Sequence, residues 1–309
     1  MMAFGKGMSV FAVLSMAAAA NCTASPPAKS AAAEQVAAAA AAPVSSVAAE
    51  AEPGEVSRSA FWLASEPVQG AVILGRAPTG ATNIRFDGKL VAAAPDGFFL
   101  LGFDRDAPAT LMLTADLTGG GKVTKELMVA GGDWRLEYIN APYRGGAKSS
   151  EEFQRRRGAE LAQIAAARTQ SNDSDGWRQE FIWPVQGRLS GLFGAQRIYQ
   201  GKPGTYHGGM DIAAANGTPF VAPADGVVIL AAESPFTLEG NLLMIDHGMG
   251  LNSAFLHCSE LLVKNGDVVK QGQVIGKVGV TGRATGPHLH WGMKWNDARV
   301  DPKLILPAR

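Results

Sequence analysis

All five histidines of the 309-residue chain lie between positions 207 and 290. Chance scattering would not confine them to so short a stretch, so metal or acid/base chemistry must be sought there. Two arrangements concentrate it: His207-Gly-Gly-Met-Asp211 and His288-Leu-His290. Residues two apart on a β-strand point to the same side of the sheet. Leu289 and Trp291 supply an apolar opposite face, so His288 and His290 are expected to point together into one cleft. The step from His207 to Asp211 would suit a helix, but Gly208 and Gly209 each cost about 1 kcal/mol in a helix interior. A loop entering a strand is expected instead, with Asp211 on the strand.

Two imidazoles and a carboxylate make a borderline-soft donor set that suits zinc. Three protein ligands leave a fourth position open, which marks a catalytic and not a structural site. No His-Glu-x-x-His helix is present, so no glutamate base is evident. Imidazoles remain, because they exchange protons near neutral pH. His257 ends the strand-like run Ser253-Ala-Phe-Leu-His257, and His288 neighbours His290. His247, in Ile245-Asp-His-Gly-Met-Gly250, reads as a structural hairpin residue. Cys258, beside His257, reads as a small buried hydrophobe facing away from the cleft.

The elements that must position these residues follow from the rest of the chain. Between about Ser59 and Pro142, short apolar stretches alternate with turn signals. Ala71-Val-Ile-Leu, Asn83-Ile-Arg-Phe, Phe98-Phe-Leu-Leu, Thr110-Leu-Met-Leu-Thr and Lys125-Glu-Leu-Met-Val read as strands. Asp87-Gly88, Asp96-Gly97 and Gly119-Gly120-Gly121 read as turns. A small β-sandwich over 58–145 is expected, carrying no histidine and no chemistry of its own. Its role is that of a spacer, a binding module or a lid. Ser149-Ser-Glu-Glu152 resembles a capping box and opens a helix over 149–170. Phe153, Leu161, Ile164 and Ala165 form its apolar face, with Arg155, Arg156 and Arg157 in solvent. Ser171 to Gly176 ends the helix and reads as a hinge.

Residues 1–21 read as a signal peptide, with Lys6 before an apolar core and small residues from Ala17 to Ala20. Cys22 follows where a bacterial lipobox has its lipidated cysteine, although Asn21 departs from that pattern. Export with a lipid anchor and export as a free protein both fit. Residues 22–57 are mostly Ala, Pro, Ser and Glu and are expected to form a disordered tether. The chain holds only two cysteines, so it is no disulfide scaffold. It carries 28 basic and 28 acidic residues, which argues against nucleic acid as a partner.

The stretch from about Phe181 to Pro302, within an expected domain at 176–309, resembles the catalytic domain of the lysostaphin-like (LytM-type) zinc metallopeptidases. Trp183-Pro-Val-Gln-Gly-Arg-Leu-Ser-Gly-Leu-Phe-Gly194 is similar to that family's opening strand. His207-Gly-Gly-Met-Asp211 matches its His-x-x-x-Asp motif, and Thr281 to His290 its His-x-His motif. Gly217 to Val228 and Gly266 to Gly276 resemble its hairpin segments. The resemblance implies a mostly β fold: an N-terminal β-sandwich, a connecting helix and a C-terminal antiparallel sheet with the site in a groove. It implies one zinc ion on His207, Asp211 and His290, with His257 and His288 orienting water and stabilising the oxyanion. It implies peptidoglycan peptides as substrate, with cell-division or wall-remodelling proteins as partners to seek; the export signal favours a D-Ala to diamino-acid cross-link over a glycine bridge. Arg283, in the loop before His288, is a candidate contact for a substrate carboxylate. Gly292 stands where many relatives carry Glu. The alternative within the family is a non-catalytic activator of a cell-wall amidase. A lipoyl or biotin carrier is excluded, because Met293-Lys294 falls after the histidine pair and not on a turn between hairpins.

Overall fold

The alternation of apolar and polar residues in the first half of the chain folds into paired strands, bounded by the expected glycine turns. The computed structural model describes residues 59–142 and 150–308. The signal segment, Cys22 and the tether lie outside the described residues. Strands β1 (Trp62–Leu63), β2 (Val72–Arg76), β3 (Ala81–Phe86), β4 (Lys89–Leu90), β5 (Phe98–Gly102), β6 (Thr110–Leu117) and β7 (Lys122–Met128) form two sheets, ordered β1-β2-β5 and β4-β3-β6-β7. Asp87 and Gly88 both take positive φ, 47° and 77°, which suits the tight β3–β4 turn. Phe99, Leu101 and Leu113 are fully buried between the sheets.

The next strand, β8 (Leu136–Ile139), leaves this pair of sheets. Helix α1 (Glu151–Arg168) follows, with Ser150 as its N-cap, the hydroxyl accepting from the Phe153 N–H at 3.1 Å. The capping residue is therefore Ser150 and not Ser149. The docked face also differs from the expected one. Glu160, Ile164 and Ala167 are buried, whereas Leu161 is half exposed and Ala165 lies in solvent. The reason is ionic: Arg157 and Glu160 have partners on the C-terminal domain that hold this face down. Arg155 and Arg156 stay exposed as expected, but Arg157 does not. Nor is the segment after the helix untethered, since the Asn172 backbone and side-chain amides both donate to Asp246 Oδ2, at 2.9 and 3.2 Å.

The C-terminal region contributes β9 (Arg188–Gly191), β10 (Gln196–Tyr199), β11 (Lys202–Pro203), β12 (Met210–Ala213), β13 (Pro219–Val221), β14 (Gly226–Ala231) and β15 (Asn241–Asp246). It continues with β16 (Leu251–Cys258), β17 (Glu260–Leu261), β18 (Val268–Val269), β19 (Val274–Lys277), β20 (His288–Trp295) and β21 (Ala298–Val300). The main sheet runs β18-β14-β15-β16-β20-β12-β9, with β21 on β20, and every pair in it is antiparallel. Strand β8 pairs in parallel with β10, joining the chain ahead of the helix to this half.

One face of β20 buries Leu289, Trp291 and Met293 in a core shared with Phe99 and Phe103. Phe86 bridges the two halves, its ring centroid 5.5 Å from Phe103 and 6.1 Å from Trp295. Helix α1 covers part of the opposite face, where Ile164 and Ala167 pack on Leu242, Met244 and Ala254. Burying an isoleucine this way contributes about 1.5–3 kcal/mol. The described residues belong to one compact unit, Pro53–Arg309. Among them no helix is long and apolar enough to cross a membrane.

Candidate metal centre

The register of β12 against β20 sets Asp211 directly opposite His290. His207 lies in the loop that enters β12, as the glycine pair implied. His207 Nε2, Asp211 Oδ1 and His290 Nδ1 form a triangle with edges of 3.1, 3.2 and 2.8 Å. Tetrahedral zinc with bonds of about 2.0–2.2 Å needs ligand atoms about 3.3–3.5 Å apart. The triangle is close to that size, and the three residues form a group able to hold a metal ion. The donor chemistry agrees. His207 Nδ1 donates to the Leu192 carbonyl at 3.0 Å, because a carbonyl only accepts, and the lone pair of neutral His207 is then on Nε2. That lone pair, a carboxylate oxygen and His290 Nδ1 converge on one point, which only a shared proton or a cation stabilises.

The electrostatics follow from burial and proximity. Burial would raise Asp211, but hydrogen bonds from His207 and His290 outweigh it and hold the carboxyl well below its usual range. Burial would lower His207, and the Asp211 carboxylate more than reverses that. His290 stays lowered, chiefly by burial.

Two glycines are sterically required here. A Cβ on Gly191, which pairs with Asp211 from β9, would lie 2.2 Å from Asp211 Oδ2. A Cβ on Gly209 would lie 2.5 Å from the Trp291 carbonyl oxygen and 2.8 Å from His290 Nε2. Sequence reasoning treated Gly208-Gly209 only as a helix breaker and gave Gly191 no role. The run Ser-Gly-Leu-Phe-Gly at 190–194 carries the signal, but its meaning depends on a strand pairing that spacing does not reveal.

His288 and His290 share one face of β20, where residues alternate between half-buried and buried. His288 Nδ1 donates to the Gly286 carbonyl at 2.8 Å, and its Nε2 lies 3.7 Å from Asp211 Oδ1. His257 Nδ1 donates to the Thr281 carbonyl at 2.9 Å. Its ring centroid is 5.0 Å from that of His288 and 6.2 Å from that of His290. Burial lowers the His257 imidazole and favours its neutral form. Backbone carbonyls thus fix the tautomers of His207, His257 and His288, leaving Nε2 of each for the groove.

Simple alternation along β16 would put His257 on the same face as buried Phe255. The strand is irregular instead. Its register against β15 shifts between Asn241 and Leu243, and His257 takes φ +64°. The irregularity turns His257 to the groove and Cys258 into the core, where burial pushes the thiol up to about 12. Arg283 is exposed on its loop, and its backbone N–H donates to the Leu238 carbonyl at 2.9 Å. His247 is fully buried, Nδ1 on the Asp225 carbonyl and Nε2 on Ser253 Oγ, each at 2.8 Å. Ser253 Oγ also accepts from the Trp291 indole at 3.0 Å, so His247 supports β20 from behind the site.

Residues 205–302 match Peptidase family M23, an interval that contains all three converging residues and both flanking histidines. A solved structure of a Pseudomonas aeruginosa protein assigned to peptidase M23 is 31% identical, with a TM-score of 0.61. The match covers 79% of this chain and 97% of that one. The chain belongs to peptidase family M23. Among curated relatives, the cell division protein DipM of Caulobacter vibrioides is 34% identical over 156 residues, 48% of this chain and 25% of that protein. The peptidoglycan DD-endopeptidase ShyA of Vibrio cholerae is 42% identical over 105 residues, 34% of this chain and 24% of that protein. The chain thus spans about a quarter of the length of these relatives.

Proposed function

We propose that the chain is a zinc-dependent endopeptidase that hydrolyses the peptide cross-links of bacterial peptidoglycan. The observation that carries this reading is the convergence of His207, Asp211 and His290 beside two further imidazoles of fixed tautomer. A single zinc ion on those three residues supplies, when bound, a Lewis acid that polarises the scissile carbonyl and acidifies a water molecule. His257, which burial keeps neutral, accepts the proton of the attacking water at Nε2 and returns it to the leaving amine. His288, with its Nδ1–H committed to Gly286, orients the water and steadies the developing oxyanion from Nε2. Arg283, exposed on the loop before His288, is the candidate contact for a substrate carboxylate.

The substrate class comes from the kinship with ShyA, whose name also favours a D,D cross-link over a glycine bridge. The signal-like residues 1–21 support export to the periplasm. Cys22 offers a site for a lipid anchor, and wall-remodelling or division proteins are the partners to seek.

The test is digestion of purified peptidoglycan by the zinc-loaded wild type and by His290→Ala, with products read by mass spectrometry. Cleavage of cross-linked peptides by the wild type alone is expected. Equal, non-zero cleavage by both proteins would defeat the mechanism.

A further inference from the structure

On the groove face beyond His290, the end of α1 and the strands β20 and β21 enclose a cavity of about 280 Å³. Its apolar wall includes Leu161, Ile164 and Leu242, and Arg168, Lys294 and Arg299 line it as well, the Arg299 side chain lying beside Gly208 and donating to the Tyr206 hydroxyl at 3.4 Å. Arg168 is the last residue of α1, Lys294 lies on β20 four residues past His290, and Arg299 is on β21. None of the three is ion-paired with a described carboxylate within 4.0 Å. The neighbouring acids are otherwise engaged: Glu239 with Arg157, Asp297 with Lys89, and Asp104 with the Arg299 backbone N–H at 2.9 Å. The cations disfavour one another. Burial lowers Lys294, and Arg168 and Arg299 lower it further.

Asn252 also lines this cavity. Asn252 pairs with Lys294 across β16 and β20 and is only 7% exposed. Its Oδ1 is the one fully buried side-chain polar atom, among the described residues, without a hydrogen-bond partner. An orphaned buried acceptor costs about 1–3 kcal/mol. Gly292, between His290 and Lys294, adds no side chain to this face, and His290 is the residue of the metal centre that lines the cavity.

We propose that this cavity is a substrate subsite for a carboxylate-bearing peptide residue. The carboxylate sits among Arg168, Lys294 and Arg299. Leu161 and Ile164 cover its small apolar side chains. Four strand residues span about 13 Å, so the recognised carboxylate belongs to a residue away from the bond that is cut. The inference rests on the reading of a peptidoglycan peptide as substrate and names the part of that peptide the chain selects.

The test is calorimetric binding of the full chain to the uncross-linked peptidoglycan stem tetrapeptide, with its carboxylates free or all amidated. The wild type is expected to bind the free form about tenfold more tightly. That preference should shrink as sodium chloride rises from about 0.05 to about 0.5 M. Arg168→Gln/Lys294→Gln, which keeps Arg299, is expected to lose most of that preference. Equal binding by the wild type, a salt-independent preference, or a full preference in the double variant would each overturn the subsite. The probe needs no cleavage, so a chain inert on whole peptidoglycan yet selective for the free form would defeat the peptidase reading and leave the subsite standing.

Discussion

Arg157 on helix α1 makes a two-pronged ion pair with Glu239, at 2.5 and 2.7 Å, and the Glu239 carbonyl accepts the backbone N–H of His257 at 2.8 Å. The helix thereby holds the loop that carries one wall of the groove. Glu160 repeats the contact a turn later, accepting from the Thr237 N–H at 2.7 Å. Arg157→Ala is expected to lower stability by about 2 kcal/mol, since it strands a largely buried carboxylate. It should also lower kcat/KM about tenfold by loosening His257. Urea unfolding and steady-state kinetics measure the two effects, and a variant with wild-type kinetics would show that the helix does not position the site.

Gly191→Ala sets a methyl group against the Asp211 carboxylate. The expected result is a folded protein whose zinc affinity falls about 10- to 100-fold, the range seen when a ligand's immediate support is disturbed. Competition with a chelator reads the affinity, and circular dichroism checks the fold.

Removing a converging ligand and removing a flanking imidazole should differ in kind. His290→Ala is expected to lose bound zinc and activity together. His257→Ala is expected to keep one zinc per chain by elemental analysis while kcat falls about 10²- to 10⁴-fold, the scale of a lost acid/base group. Loss of zinc from His257→Ala would make that residue a ligand.

The buried His247 imposes a pH dependence on stability. Its pKa falls from 6.5 to about 4, because burial disfavours the charged ring. The unfolded chain therefore binds the extra proton in that window and the folded chain does not. Stability is whole above about pH 6.5 and declines as the pH drops towards 4, by up to about 3 kcal/mol. His247→Gln should cost stability at neutral pH but flatten this decline. Parallel declines in wild type and variant, followed by urea unfolding at several pH values, would assign the effect to other groups.

Much of the site was legible because its signals are local. The two-residue step from His288 to His290 fixes a shared face on any strand, and Gly208-Gly209 weigh against a helix whatever surrounds them. What stayed hidden depends on partners distant in sequence. Nothing in Ser253-Ala-Phe-Leu-His257 announces a positive φ at its last residue, and strict alternation gives the wrong face there. The apolar stripe of α1 pointed to Leu161 and Ala165, because spacing cannot know that Arg157 and Glu160 find Glu239 and Thr237 some eighty positions on. The β-sandwich strands were readable from alternation and turn residues, but the parallel pairing of Leu136–Ile139 with Gln196–Tyr199 was not.

That pairing, with the aromatic cluster of Phe86, Phe103 and Trp295, has a thermodynamic consequence. Two halves that share a sheet and a core cannot melt independently. Heating should give one calorimetric peak whose van't Hoff and measured enthalpies agree. A fragment cut before Gly176 would lose β8 and α1 and leave Leu242, Met244 and Ala254 bare to water. Such a fragment is expected to aggregate, and a protease that cuts between α1 and Gly176 would inactivate the protein rather than release a working catalyst.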